Sequence, residues 1–286
     1  MFSDEANMWY NIPKFNVLAQ NISVPGLSSL FPEVHYTKDG SICQLTTGEG
    51  EMNAASTVAT LLHSSAFDLR TTYFLIAGIA GVSSKVATID SVTFAAMPCR
   101  WGFKVLEMNE NLRQLAFRLA KTAEPGLNDT TDCGAARAPY PIVPQFAATG
   151  GSPSVVLCDT ATSDTFGSGT LLAEAFENTT KLFTNQSATY CATPQEDIMR
   201  SASDLDRPLP GESAVASLLG PTPGFVPSIS NLHIAGVKIV QAIVSGWKDF
   251  EGGVKATNYV GDIFGSLGGK PDFGPGSMFG GKAAKV

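Results

Sequence analysis

A chain of 286 residues with 44% hydrophobic side chains is long enough to bury a substantial core, as one large domain or two small ones. Its net charge of −7 and its lack of any clustered Lys/Arg stretch argue against nucleic acid as a partner, because affinity for phosphate backbones comes from basic side chains. The apolar stretch Tyr73 to Val82 is far shorter than the ~20 residues a membrane-spanning helix needs and breaks at Gly78 and Gly81, so no transmembrane segment is expected.

In chain order, residues 1–40 read as irregular, with Pro13, Pro25 and Pro32 as breakers. Ile42 to Leu45 reads as a short strand. Gly48 and Gly50 then turn the chain into a helix from about Met52 to His63, whose Ala54, Ala55 and Ala59 suit close packing on a sheet. Tyr73 to Ala77 is a continuous apolar run of the kind found in strands buried on both faces, and Val86 to Phe94 fits another strand. Glu110 to Thr122 is the clearest amphipathic helix: Leu112, Leu115, Ala116 and Leu119 follow the i, i+3, i+4, i+7 rule, behind Asn109 as N-cap. Residues 123–152 read as loop and Val155 to Cys158 as strand. Thr170 to Phe183 reads as a helix with Leu171, Leu172, Ala175 and Phe176 inward. Residues 198–228 read as Pro/Ser-rich loop with a short helix near Ala214. Leu232 to Trp247 is a strong helix, and the chain from Gly261 reads as loop, with 270–286 a flexible tail. Strands alternating with helices predict an α/β fold on a largely parallel sheet, in a single domain over 1–286.

Several phrases carry candidate chemistry. The Gly48-Glu49-Gly50 turn at a helix start offers backbone N–H groups to an anion or a ribose hydroxyl, or is an ordinary strand-to-helix turn; the spacing G-x-G-x-x-G is absent because position 53 is Asn. Gly78 and Gly81 have the same two readings. Carboxylates cluster at Glu196 and Asp197, and again at Asp204 and Asp206 before Arg207. Two such groups in one pocket can divide general-acid and ligand-binding roles, and outside a pocket they are a solvated acidic loop. Glu5, by itself, reads as surface. Phe166 is placed to stack on a base or to join the core. His35, His63 and His233 are dispersed and no Cys pair has CxxC spacing, so no metal site is expected; Gly211-Glu212-Ser213-Ala214-Val215 fails the nucleophile-elbow pattern at its last position. Glycosylation sequons at Asn21, Asn128, Asn178 and Asn185 hint at a secretory route, yet Met1 to Glu5 has neither the basic start nor the apolar region of a signal peptide.

Segments along most of the chain resemble the fungal purine nucleoside permease family: Met1 to Ala6 with Trp9-Tyr10, Gln44 to Glu49, Ala77 to Val82, Cys158 to Asp164, Glu174 to Thr180, Ala202 to Pro208, and 259–275. That family is in turn similar in pattern to the nucleoside phosphorylases and nucleosidases. The resemblance implies a three-layer fold with a central mixed, mostly parallel sheet flanked by helices. It implies purine nucleosides as ligands and an oligomer as the assembly, with secretion or cell-surface association in the family at large. Carried over, Gly48, Glu49, Asn53, Gly78 and Gly81 would line the ribose or phosphate side. Glu196 would hold the ribose hydroxyls, Asp204 would protonate the departing purine and Glu5 would activate water. No cofactor is implied, and phosphate stands as a candidate co-substrate. Hydrolysis is favoured over phosphorolysis because no arginine occupies a clear phosphate-binding position. A nucleoside transport component that binds without cleaving, and an inactive shortened chain, are the alternatives.

The departures from the family pattern are specific. Residues are lacking between Phe94 and Val105 and between Asp197 and Ile198, which makes the expected sheet incomplete and the folding of the chain impaired. Tyr36 stands where the family has a Cys, leaving Cys43 without its partner, and Cys158 with Cys191 remains as a disulfide. Asp90 replaces a Gly, and Gly167 an aromatic residue.

Overall fold

Eight residues before the first proline suffice for helix α1 (Ser3–Tyr10), because Glu5, Ala6 and Trp9 fall on one face and are buried. The computed structural model describes residues 2–10, 12–100, 104–162, 168–184, 189–193 and 199–272. It corrects the irregular reading of residues 1–40. After α1, strands β1 (Gln20–Ser23), β2 (Glu33–Tyr36) and β3 (Cys43–Leu45) form a three-stranded antiparallel sheet. The prolines that hid these elements all lie in the connections, where a missing N–H breaks no ladder. In the β2–β3 register Tyr36 faces Cys43, which is a free, exposed thiol, so the position at which the family resemblance expects a second Cys is the one across the ladder.

Helix α2 (Glu51–His63) starts after Gly50, whose φ of 87° suits a residue without a Cβ. Strand β4 (Ala77–Val82) begins where the expected strand was to end. Tyr73 instead packs edge-on against Trp247 and Phe250 and donates its O–H to the Phe250 carbonyl at 2.8 Å, while Phe74 and Ile76 are exposed. An apolar run without a period cannot say where its strand begins. Strand β5 (Val92–Arg100) also starts late, because Val86 and Ala87 both donate their N–H groups to the Ser83 carbonyl and wind the segment into a turn.

The remaining elements are β6 (Lys104–Glu107), α3 (Glu110–Lys121), α4 (Thr131–Arg137), β7 (Val155–Thr162), α5 (Thr170–Phe183), β8 (Tyr190–Thr193), β9 (Met199–Leu205), α6 (Ala214–Leu219), α7 (Phe225–Ser245), α8 (Trp247–Phe250) and β10 (Gly261–Asp262). Asn109 caps α3 by accepting from Leu112 N at 3.1 Å. On α5 Ala173, Phe176 and Thr180 are buried, whereas Leu171, expected inward, is 89% exposed. The region 123–152 holds α4 and three 3₁₀ segments rather than plain loop. Strand β9 falls inside the expected 198–228 loop; six of its seven residues are buried, so its polar Arg200, Ser201, Ser203 and Asp204 give no outward-facing alternation to read.

Among the described residues the large sheet runs β10-β6-β5-β7-β8-β4-β9, and β5 also pairs with β9, so its five inner strands close on themselves. Ladders β4–β9, β5–β7 and β7–β8 are parallel; β4–β8, β5–β6, β5–β9 and β6–β10 are antiparallel. The long ladders are the parallel ones, as expected of an α/β sheet covered by helices. Helix α7 lies across β4, β5 and β9, and Val92, Phe94, Met199, Leu232 and Ile239 fill the core beneath it. Gly236 lets α1 approach α7, since a Cβ there would stand 2.6 Å from the Trp9 ring.

A disulfide joins Cys158 on β7 to Cys191 on β8, with Cα atoms 5.8 Å apart and a sequence separation of 33. Closing a loop of that length restricts the unfolded chain, so the Cys158→Ser, Cys191→Ser double variant is expected to lose about 3–4 kcal/mol in denaturant titration. A loss below about 1 kcal/mol would mean the crosslink constrains nothing the fold does not already hold.

Asp90 has a φ of 70° and is fully buried, and neither carboxyl oxygen finds a hydrogen bond. Burial pushes its carboxyl up to about 6. A side chain in the left-handed region is strained by about 1–2 kcal/mol, and an unsatisfied buried polar group costs about as much again. Asp90→Gly is therefore expected to stabilise the chain by about 2 kcal/mol, seen as a melting temperature several degrees higher. A lower melting temperature would show that the Asp90 side chain fills space the fold needs.

Candidate functional site

A cleft of about 2510 Å³ opens at the C-terminal ends of the parallel pair β4 and β9, the position at which α/β sheets bind ligands. The register of this pair shifts between Ala80, opposite Ala202, and Gly81, opposite Asp204, so Ser203 is an extra residue in β9. A bulge of this kind bends its strand and re-aims a side chain. Arg200, Ser203 and Asp204 all reach the cleft wall, and Ser203 Oγ donates to the Ala80 carbonyl at 3.3 Å.

Asp204 is half-buried, and its carboxyl makes no hydrogen bond to a described residue. Burial, with the nearby Asp206 charge as the second cause, pushes it up to about 6. Asp206 is more deeply buried, and burial raises it to about 6 as well, against the opposing pull of Arg207 and of Ser84 N–H. With Asp90 these make three buried carboxyls raised in the same direction from an ordinary 3.8. Each binds its proton more tightly folded than unfolded. Their contribution to stability is therefore full below about 3.8 and is lost as pH rises through about 6. The chain is expected to melt higher at pH 5 than at pH 7, and equal or reversed melting temperatures would contradict these assignments.

Glu5, read from sequence as surface, is buried in the first turn of α1 and lines the cleft. Its Oε1 accepts from Ile79 N at 2.6 Å and its Oε2 from Phe2 N at 3.0 Å. The guanidinium of Arg200 donates to the Ile79 carbonyl at 2.5 Å, so an acid and a base from opposite ends of the chain hold the backbone of one residue in β4. Gly48, at a φ of 80°, and Glu49 line the same cleft. Asn53 is exposed and closes the glycine turn by donating from Nδ2 to the Glu49 carbonyl at 2.6 Å. Gly81 reaches the cleft wall; Gly78, opposite Arg200 in the β4–β9 ladder, and Asn53 do not. Glu196 and Phe166 lie outside the described residues. A ligand pocket commonly measures about 300–1,000 Å³, so sharing this larger cleft does not by itself bring Gly48 against Asp204.

Behind Asp204 stands an ion cluster that residue-by-residue reading missed. Arg207 is fully buried and bonds Asp206 at 2.6 Å, Ser83 Oγ at 2.9 Å, Glu177 at 2.9 Å and Glu174 at 3.3 Å. Lys85 bridges Glu174 at 2.7 Å and Glu177 at 2.9 Å, and Lys181 reaches Glu177 at 2.6 Å. Glu174, Glu177 and Lys181 at i, i+3 and i+7 along α5 are the legible trace of it, since those positions share a helix face. Nothing in the phrase around Arg200 marks it as a cleft residue. No group of three or more His, Cys, Asp or Glu side chains among the described residues is arranged to hold a metal ion.

Comparison with known proteins agrees with this geometry. The sequence profile of the family described as Purine nucleoside permease (NUP) matches residues 1–102, 96–198 and 198–255. A purine nucleoside permease of Candida albicans is 38% identical over 338 positions, covering 96% of this chain and 81% of the relative. A probable purine nucleoside permease of Schizosaccharomyces pombe is 32% identical, covering 86% of this chain and 88% of the relative. The Candida alignment is longer than the chain itself, and the profile breaks at 96–102 and at 198, where family residues were expected to be lacking. Among solved structures, a 5'-methylthioadenosine/S-adenosylhomocysteine nucleosidase of Campylobacter jejuni superposes with a TM-score of 0.53 at 13% identity, over 85% of this chain and 96% of the other. A futalosine hydrolase of Helicobacter pylori gives 0.53 at 12%, over 84% and 94%. The fold is that of the 5'-methylthioadenosine/S-adenosylhomocysteine nucleosidases, and the chain belongs to the purine nucleoside permease family.

Proposed function

We propose that this chain binds purine nucleosides in the cleft at the ends of β4 and β9 and cleaves their N-glycosidic bond, with Asp204 as the acid for the departing base. The observation that carries this reading is the Asp204 carboxyl: it stands in the cleft wall, unbonded to described residues, and is raised to about 6 by burial. Such a group holds its proton up to about pH 6, well above the range of an ordinary Asp, and can give it up to a basic atom. In the step, the bond from the sugar carbon to the purine nitrogen breaks and its electron pair goes to the base. The Asp204 proton moves to a ring nitrogen, water adds to the sugar carbon, and the water's proton passes to Glu5. Each Glu5 oxygen accepts one of the two backbone N–H bonds described, which fixes the carboxylate in the cleft wall. Glu196 is assigned to the ribose hydroxyls by family resemblance.

Water is favoured over phosphate as the attacking group. Among the described residues the arginines of the cleft wall are Arg70, Arg113 and Arg200. Arg70 is paired with Asp68, Arg113 with Glu110, and Arg200 with the Ile79 carbonyl, so each already has an acceptor.

The second reading is a binding component of nucleoside transport, favoured by the name that the Candida and S. pombe relatives carry. No described helix is long and apolar enough to cross a membrane. Liquid chromatography of adenosine, guanosine and inosine incubated with the protein, with and without phosphate, separates the readings. Free base without phosphate supports the hydrolase. Free base only with phosphate makes phosphorolysis the reaction. Saturable binding with no free base overturns cleavage and leaves the transport reading.

A further inference from the structure

We propose that Arg207 is a positioning residue for Asp204, acting through Asp206: the two form the hub of a buried ion cluster that pins the end of β9 and stands a fixed carboxylate beside the acid. The inference deepens the cleavage reading above and rests on it for the acid's role.

The cluster ties three segments to one another. Asp206 follows β9; its N–H donates to the Val82 carbonyl, and its Oδ1 accepts from Ser84 N at 3.3 Å, both in the turn after β4. Its own carbonyl accepts from Gly169 N at 2.8 Å, at the start of α5. Arg207 then reaches Glu174 and Glu177 on α5 and Ser83 in the β4 turn, with its guanidinium over the Tyr190 ring of β8 at 5.9 Å. Two residues from Asp204, the backbone is thus held on both sides by main-chain bonds, and the side chains beside it by charge-assisted ones, which are stronger than neutral ones.

The charges balance in one way. Arg207, Lys85 and Lys181 face Glu174, Glu177 and Asp206, three cations against three carboxylates, when Asp206 is ionised. Among the described residues Asp204 pairs with no cation. Tyr140, raised by burial first and by Glu212 next, also feels the charges of Asp204 and Asp206, and Arg200 and Glu5 share the cleft wall, both turned to Ile79. Arg207 pulls against the burial of Asp206 and no such pull acts on Asp204, so the pairing favours the charge on the aspartate at Arg207 and the proton on the one in the cleft. Losing that proton would place two negative charges side by side, which holds it on Asp204 until it is delivered.

The test is a ¹³C NMR titration of the Asp204 carboxyl, assigned with Asp204→Asn, in the wild-type protein and in Asp206→Asn. The midpoint is expected to fall by about one pH unit when the neighbouring charge is removed, and the alkaline limb of kcat/KM for base release to move down with it. Glu177→Gln, which strips a carboxylate from the far side of the cluster and leaves it net positive, is expected to lower the midpoint by a smaller step. It keeps the test open should Asp206→Asn fail to fold. An unchanged Asp204 midpoint in a folded variant overturns the proposal and reduces the cluster to a structural brace. The titration needs no turnover, so a wild-type protein that releases no base refutes the cleavage reading while leaving this inference separately decided.

Discussion

Asp204→Ala is expected to lower kcat/KM for base release by about 10²–10⁴-fold, the usual worth of a positioned general acid. The departing purine is a poor leaving group as an anion, and the electron pair it receives has to be met by a proton as the bond breaks. Asp204 is a cleft carboxyl that makes no hydrogen bond to a described residue, and burial keeps it protonated to about pH 6. The wild-type rate should therefore fall as pH rises through about 6, while the residual rate of the Ala variant should lose that limb. Asp204→Asn should resemble Ala rather than wild type, because an amide can donate a hydrogen bond but not the proton. Steady-state kinetics from pH 4.5 to 8.5 check all three outcomes. An Ala variant that keeps the wild-type rate and profile would remove Asp204 from the chemistry.

Arg207→Met is expected to destabilise the fold by about 3–5 kcal/mol, the largest effect on stability anticipated here. A Met can replace the volume of the stem but none of the donors. Removing the guanidinium leaves Asp206 buried without a cation and Glu177 without one of its three, and an uncompensated buried charge is costlier than the loss of a salt bridge at the surface. Arg207→Lys keeps the charge but loses the fork that holds Asp206, Ser83 and Glu177 at once, so its loss should be smaller. Denaturant titration measures both. A loss below about 1 kcal/mol for Met would mean that water reaches the cluster in solution and screens it.

The two breaks in the family profile bear on the cleft itself. Phe94 and Ala95, at the first break, and Met199 and Arg200, at the second, all line it, and these same stretches of β5 and β9 pair antiparallel to close the inner strands. The segments that relatives carry and this chain lacks would thus enter at the cleft wall.

The amino-acid sequence by itself determined the family, the longer helices and the crosslink. Helices α3 and α5 match their expected limits closely and α7 covers its expected span as far as Ser245, with Gly246 ending it before Trp247, because a 3.6-residue period and caps such as Asn109 are local properties of ten or so neighbouring residues. The Cys158–Cys191 pairing followed from family resemblance, as did the candidacy of Asp204 and Glu5. Only the tertiary structure decided which polar residues are buried and what they face. Arg200 to Asp204 read as loop because a strand covered on both faces shows no alternation, and its identity comes from β4 and β5, more than a hundred residues away. Glu5 read as surface because its partner is the backbone N–H of Ile79, which no side-chain pattern announces. Arg207 read as one charge among several, since the balance of three cations and three carboxylates exists only after the turn following β4, the end of β9 and α5 have been brought together. Local periodicity is written in the chain, whereas the pairing of buried charges depends on contacts between segments far apart in sequence.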